Sequence, residues 1–227
     1  MHPTAMQNAD SFYKCYSPNF GGANVRVVEI GSQDVNGGIR SVCPANFEYV
    51  GVDFCDAKGV DVVLQDPYCL PFEAESADIF VSSSCFEHSE FFWLVFMEVM
   101  RCLKPHGLFY LNVPSTGPFH RYPVDCWRFY PDSGAALVNW GRRNGLKPAL
   151  LESYTQVGGG WQDYIAVFLK DEGFAASYPA RIIDTKADYE NGLVHGDQNV
   201  RNDRMLTQHE RRLRMIEGLA NGSLEGE

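Results

Sequence analysis

Val27-Val28-Glu29-Ile30-Gly31, continued by Ser32-Gln33-Asp34-Val35-Asn36-Gly37-Gly38, is the stretch on which the reading of this chain turns. A β-branched run ends in an acid, passes through a glycine and enters a polar, glycine-bearing loop. That is the outline of a strand whose carboxyl end meets a turn where backbone can approach a ligand closely. The spacing departs from Gly-x-Gly-x-x-Gly, because Gln33 and Asn36 stand where the later glycines belong. A site cradling a dinucleotide pyrophosphate is therefore disfavoured.

Working outward, apolar clusters alternate with turn signals in a βαβ rhythm. The first strand is predicted over residues 25–30, and others over 49–53, 60–64, 78–82, 108–113, 150–156 and 163–170. Helices are predicted around 38–42 and over 89–103, 131–144 and 203–219. Lys104-Pro105-His106-Gly107 reads as a turn ending the second of these, and Gly145 closes the third. Val157, the Gly158-Gly159-Gly160 turn and two further residues separate the last two strands, too little for a parallel crossover, so they pair antiparallel. The expected fold is α/β: a Rossmann-like, mostly parallel seven-stranded sheet with helices on both faces and a C-terminal antiparallel hairpin. Residues 25–170 form the domain. Residues 1–24, with Phe12, Tyr13, Tyr16 and Phe20, either cap the site or pack on the core. Residues 171–227 read as a polar extension with one helix and a mobile end over 221–227.

Composition removes several function classes. The net charge of the 227-residue chain is −10, which argues against a general nucleic-acid backbone binder. The charge is uneven: −11 from Glu29 to Glu98 and +4 from Val99 to Lys170. The seven cysteines are odd in number and contain no Cys-x-x-Cys. They read as reduced thiols of a cytoplasmic protein rather than a disulfide framework or zinc site. The longest apolar run, residues 91–97, is too short to span a bilayer, and the N-terminus lacks the pattern of a secretory leader. The predicted helix 89–103 is apolar on nearly all sides, which means deep burial or a partner face such as a homodimer contact.

Asp53, at the end of the second strand, is placed to accept hydrogen bonds from a ribose diol, or is a solvated strand-end acid. Beyond it the chain carries Gln65-Asp66-Pro67-Tyr68-Cys69-Leu70-Pro71-Phe72, then Ser83-Ser84, Glu87-His88 and Glu98-Val99-Met100-Arg101-Cys102-Leu103-Lys104-Pro105-His106-Gly107. In this order and at these separations, residues 25–170 resemble the class I S-adenosylmethionine-dependent methyltransferases. The resemblance implies S-adenosyl-L-methionine as cofactor and S-adenosyl-L-homocysteine as product. It implies that Glu29 and Gly31 shape the methionine-side loop with Ser32 and Gln33, and that Asp53 holds the ribose. Asp66 accepts from the adenine amino group, beside Pro67 and Tyr68, and Ser84 lies near the sulfonium. The chain departs from the family at Gln33 and Val35, which replace loop glycines. It departs again at Pro67, which has no N–H to offer adenine, leaving that role to Tyr68.

A second patch follows the fifth strand: Pro114-Ser115-Thr116-Gly117-Pro118-Phe119-His120-Arg121-Tyr122-Pro123-Val124-Asp125-Cys126-Trp127-Arg128-Phe129-Tyr130-Pro131. It resembles a subset of these enzymes associated with bacterial glycan and surface-polysaccharide pathways. Aromatic rings beside Arg and Asp suit a hydroxyl-rich acceptor. Arg121, Tyr122, Trp127 and Arg128 are the candidate acceptor contacts, although Trp127, Phe129 and Tyr130 read better as packing. Arg121 and Arg128 in the basic half point to an anionic acceptor. Proton removal from an alcohol acceptor needs a base; His120 and His88 are the candidates, with Asp125 orienting a histidine or acting itself. No metal site is expected, since no histidine pair has helical ligand spacing, and a carboxylate Mg²⁺ site assembled in space leaves no such trace. The leading reading is O-methylation of a sugar or glycan. A methyltransferase for a small aromatic or amine metabolite and a non-catalytic cofactor-binding regulator are the alternatives. The Tyr-x-x-x-Lys pair of short-chain reductases is absent.

Overall fold

The computed structural model describes residues 2–21, 24–158 and 160–221. Its strands are β1 (Arg26–Ile30), β2 (Glu48–Asp53), β3 (Val62–Val63), β4 (Ala77–Ser83), β5 (Leu103–Pro114), β6 (Ala149–Gln156), β7 (Asp163–Leu169) and β8 (Tyr189–Val194). They form one sheet in the order β3-β2-β1-β4-β5-β7-β6-β8. The pairs from β3 to β5 are parallel, and β7, β6 and β8 each run antiparallel to the strand before them in that order. Strand order therefore reverses between β1 and β4, and a crevice opens there at the carboxyl ends of the strands.

The strands are apolar on both faces because helices cover both. Val28, Ile30, Phe80, Phe109 and Phe168 point toward α2 (Phe92–Cys102) and α3 (Ser133–Arg143). Val27, Ile79, Val81, Tyr110 and Ile165 point toward α1 (Pro3–Tyr16). Ala5, Ala9, Phe12, Tyr13 and Tyr16 recur at helical spacing and are all buried, so this N-terminal segment packs on the sheet core. The apolar character of α2 is largely met within the chain. Val95, Phe96, Val99 and Met100 enter the core, while Phe92 and Trp93 meet the edge of Trp127, and Phe92 that of Phe129. Phe91 and Leu94 stay exposed.

The structure corrects four expectations. The sheet has eight strands rather than seven, because Tyr189–Val194 of the polar tail adds an edge strand to β6. The predicted helix 89–103 begins only at Phe92, after a 3₁₀ turn over Phe86–His88. Lys104-Pro105-His106-Gly107 is not a turn but part of β5. Its pairing with β4 jumps from Ala77↔Leu103 to Ile79↔Leu108, and the bulge accommodates Pro105, which has no N–H for the ladder. The short helix around 38–42 is a 3₁₀ turn, Ile39–Val42. The last helix, predicted over 203–219, is α4 (Gln208–Ala220), with a Thr207–Glu210 capping box. Gly159 of the glycine turn, and residues 222–227 of the expected mobile end, lie outside the described residues.

Candidate functional site

A cavity of about 410 Å³ lies at the switch point. Ile30 and Gly31 at the end of β1, Asp53 and Phe54 at the end of β2, Leu64 beyond β3, and Ser83 and Ser84 at the end of β4 form one part of its wall. Pro67 and Tyr68 flank this part. His88, Tyr122, Pro123 and Val124 form the opposite part, and His2 reaches the rim from the N-terminus.

Close backbone packing shapes the first part. Gly31 has φ +77°, and a Cβ there would sit 2.5 Å from Cys85 Cβ, so only glycine fits. Ser84 also adopts a left-handed conformation, φ +53°, and its N–H donates to the Asn112 carbonyl at 2.9 Å. Asp53 is 7% exposed. Its Oδ2 accepts from Gln33 N–H at 3.2 Å and its Oδ1 from Phe54 N–H at 2.7 Å. A carboxylate with about four lone-pair sites retains acceptor capacity for a ligand diol. The Ser83 hydroxyl lines the cavity, is buried, and has no hydrogen-bond partner among the described residues. It is a polar contact that sequence reading had not placed in the site.

Other predicted cofactor contacts lie elsewhere. Glu29 and Ser32 face a separate, smaller cavity of about 290 Å³, shared with Asp34 and Arg40. β1 alternates sides, so Glu29 falls on the α1 face, where Tyr49 O–H donates to its Oε2 at 2.8 Å. Burial pushes the Glu29 carboxyl up to about 7, against the opposing effects of the Tyr49 hydrogen bond and Arg40. Asp66 is exposed and outside the cavity lining; its Oδ1 accepts from Tyr68 N–H at 2.8 Å. That bond also engages the backbone donor expected of Tyr68. Gln33, Asp53, Pro67, Tyr68, Ser84 and Gly31 are the six predicted cofactor residues that the fold does gather.

In the acceptor patch, Arg128 and Asp125 form a clip. Nη1 donates to Asp125 Oδ1 at 2.6 Å and Nη2 to Oδ2 at 2.9 Å. Nη2 also reaches the Pro118 carbonyl at 2.9 Å. The Asp125 side chain is 1% exposed, and the Arg128 guanidinium holds its carboxyl well below the usual carboxylate range. Asp125 is thus a fixed anion with its lone pairs engaged, unsuited to be the base. Arg128 is committed to it and outside the cavity lining. Arg121 lies over the exposed Phe119 ring, 5.4 Å to the centroid, also outside. Trp127 is partly exposed but meets the edges of Phe92 and Trp93, and its Nε1–H donates to the Ser89 carbonyl at 2.9 Å. Phe129 is buried, but Tyr130 is exposed, contrary to its expected packing role. Tyr122 lines the cavity.

The two histidines meet. Their rings lie 4.8 Å apart and edge-on at 87°. His88 Nδ1–H donates to the Val124 carbonyl, and burial pushes the imidazole pKa down, so it is neutral near pH 7. His120 Nδ1–H donates to the Pro118 carbonyl at 3.2 Å, with Asp125 Oδ2 at 3.3 Å from the same nitrogen. His120 is beside the cavity wall rather than in it. Below both lies Glu87, 1% exposed, with burial pushing its carboxyl up to about 8. In the sequence Glu87 stands out only as the neighbour of His88. The 3₁₀ turn buries it, while its carbonyl accepts from Cys126 and Trp127 N–H.

Residues 30–111 match a family model described as a methyltransferase domain. No curated protein matches the chain. Among solved structures, the 1,6-didemethyltoxoflavin-N1-methyltransferase of Burkholderia thailandensis carries bound 1,6-didemethyltoxoflavin and S-adenosylhomocysteine. It is similar with a TM-score of 0.54 at 13% identity, covering 74% of this chain and 79% of its own. A SAM-dependent methyltransferase from Archaeoglobus fulgidus gives 0.52 at 17% identity over 73% and 94%. The cyclase SpnF gives 0.55 at 11% identity over 73% and 81%. The chain therefore has the fold these methyltransferases share. Since a cyclase shares it too, the reaction has to be argued from the site. No helix among the described residues is long and apolar enough to cross a membrane.

Proposed function

We propose that the protein is an S-adenosylmethionine-dependent methyltransferase acting on the oxygen of a hydroxyl-bearing acceptor, a sugar or glycan. The observation that carries this reading is the cavity at the carboxyl ends of β1, β2 and β4, with Asp53 at the β2 end. When bound, the cofactor would supply an activated methyl group on its sulfonium and remain as the thioether S-adenosylhomocysteine, while the acceptor hydroxyl's proton would pass to His88 or to water. The chain's own residues then have three tasks. Asp53 accepts from a ribose diol, the Gly31 turn and Ser83–Ser84 bound the space between the two parts of the cavity, and apolar Leu64, Phe86 and Val95 exclude water. Neutral His88, on the opposite wall, faces the acceptor. The acidic half of the chain suits a ligand carrying a sulfonium and an ammonium.

With Arg128 clipped to Asp125, support for an anionic acceptor rests on Arg121 alone. A second reading, a small aromatic acceptor, is favoured by Phe54 and Tyr122, exposed rings that line the cavity. Calorimetry with S-adenosylmethionine, S-adenosylhomocysteine and NAD tests the cofactor: the two sulfur compounds bind and NAD does not. Binding of NAD alone removes the proposal. Glycans, nucleotide sugars and aromatic alcohols offered with labelled methyl donor separate the two acceptor readings.

A further inference from the structure

We infer that Glu87, His88 and His120 form a binding site for a divalent transition-metal ion on the acceptor wall of the cavity. One ligand atom from each lies within 4.8 Å of the others. Metal–ligand bonds of about 2.0–2.2 Å place neighbouring ligand atoms roughly 3–3.5 Å apart, so a side-chain closure on the order of 1 Å completes the set. The histidines come from different loops, the turn after β4 and the connection after β5, and the fold brings their rings into a T-shaped contact.

Two further observations point to a cation. Each imidazole uses Nδ1 toward a backbone carbonyl, Val124 for His88 and Pro118 for His120, and Asp125 stands behind the latter. Such partners fix the tautomer that leaves Nε2 as a lone-pair donor, the arrangement that orients metal-ligating histidines. Glu87 Oε2 is buried without any hydrogen-bond partner among the described residues, and its Oε1 lies 3.8 Å from His88 Nε2. At 3.8 Å that contact is longer than a hydrogen bond, so Glu87 offers an unpartnered buried oxygen beside the two imidazoles, while the nearby Arg128 guanidinium is held by Asp125. Two imidazoles and one carboxylate suit Zn²⁺, Co²⁺, Mn²⁺ and their neighbours rather than Mg²⁺, which prefers oxygen and water.

Because His88 lines the cavity, an ion held by it would stand at the cavity's edge, within reach of an acceptor bound there. This deepens the function proposed above and rests on it for its catalytic meaning. An acceptor hydroxyl bound to the ion loses its proton to solvent water more readily, so the histidines act through the metal rather than as free bases.

The test uses the full chain stripped with a chelator. Co²⁺ is titrated while its visible ligand-field absorption is followed, Zn²⁺ is titrated by calorimetry, and Mg²⁺ serves as the comparison ion. The expected result is one equivalent of Co²⁺ or Zn²⁺, bound more tightly than Mg²⁺. Glu87→Gln and His120→Gln each weaken it by at least about 10-fold. His120 is on a partly exposed loop, so His120→Gln reports even where Glu87→Gln misfolds. Absence of binding by the wild-type chain, or affinity unmoved by His120→Gln, overturns the site. S-adenosylmethionine calorimetry on the same samples separates the two proposals. Metal binding without cofactor binding removes the methyltransferase reading and keeps the site; the converse removes the site alone.

Discussion

Asp53 illustrates how much one side chain is asked to do. Its two oxygens already order the backbone at Gln33 and Phe54, so a substitution touches both the turn and any bound diol. Asp53→Ala is expected to weaken S-adenosylmethionine binding by roughly 10- to 100-fold, the loss of a charge-assisted hydrogen bond of about 1.5–3 kcal/mol. Calorimetry measures the affinity, and a retained circular dichroism spectrum shows the fold intact. Glu29 makes a prediction of the opposite kind. Its carboxyl is raised from 4.5 to about 7, so below pH 4.5 it is protonated in folded and unfolded chains alike. Between 4.5 and 7 the unfolded chain gives up this proton and the folded chain holds it, so its contribution to stability is lost as pH rises. Relative to Glu29→Gln, the wild type should lose melting temperature across that window and run parallel above it. Of these two acids, position alone identified Asp53 at a strand end. It could not tell that Glu29, one residue before Ile30, turns to the other face of the sheet. That depends on the phase of the pleat, which a strand boundary shifted by one residue reverses.

At the scale of elements, the parallel strands and the switch point were legible because buried β-branched runs and the turns between them are local signals. What was lost depended on tertiary context. The tail reads as a polar extension, yet it holds β8, where Asn191 takes φ +52° and the register to β6 shifts. Lys104-Pro105-His106-Gly107 reads as a stop, yet an irregular ladder absorbs it. The α1 periodicity was present in Ala5, Ala9, Phe12, Tyr13 and Tyr16 but lay in a short terminal stretch whose capping and packing readings both fitted. The cluster of Glu87, His88 and His120 was legible only in part, since Glu87 and His88 share the turn after β4 but His120 comes from the connection after β5. Two substitutions test the elements around the cavity. Gly31→Ala forces a left-handed alanine against Cys85 and should cost roughly 1–3 kcal/mol in denaturant unfolding, with loss of cofactor binding. Arg128→Met leaves Asp125 a buried, unmatched anion and should release the connection after β5. Faster proteolysis between β5 and α3 is the expected readout, with a stability loss of about 1–3 kcal/mol.

For the whole molecule, Glu152 is the tie between parts remote in sequence. It is fully buried in β6, accepts from Tyr16 O–H of α1, and accepts from Ile182 and Ile183 N–H of the segment after β7. Arg181 donates to the Leu151 carbonyl beside it. The 57 residues from Asp171 onward looked like an appendage in the sequence because they are polar. Among the described ones, those forming β8 and the turn before it instead complete the sheet, and covering β6 removes an open edge. Glu152→Ala should cost at least about 3 kcal/mol, since three buried donors lose their acceptor. Denaturant unfolding measures this, and cofactor affinity in the surviving folded fraction should be unchanged because Glu152 is outside the cavity lining. The same carboxylate also constrains the order in which the chain can fold. The helix made first has its anchor on a strand made much later, and that strand's acid is not satisfied until Ile182 and Ile183 arrive. Completing the Glu152 tie is consequently a non-local event that depends on loop closure rather than on helix propensity. A nascent chain halted before Ile182 could already seat Phe12 on Tyr110 and Asn8 on Asn112, yet would leave the Glu152 carboxylate with Tyr16 as its one donor of the three and an acid unsatisfied beneath the helix.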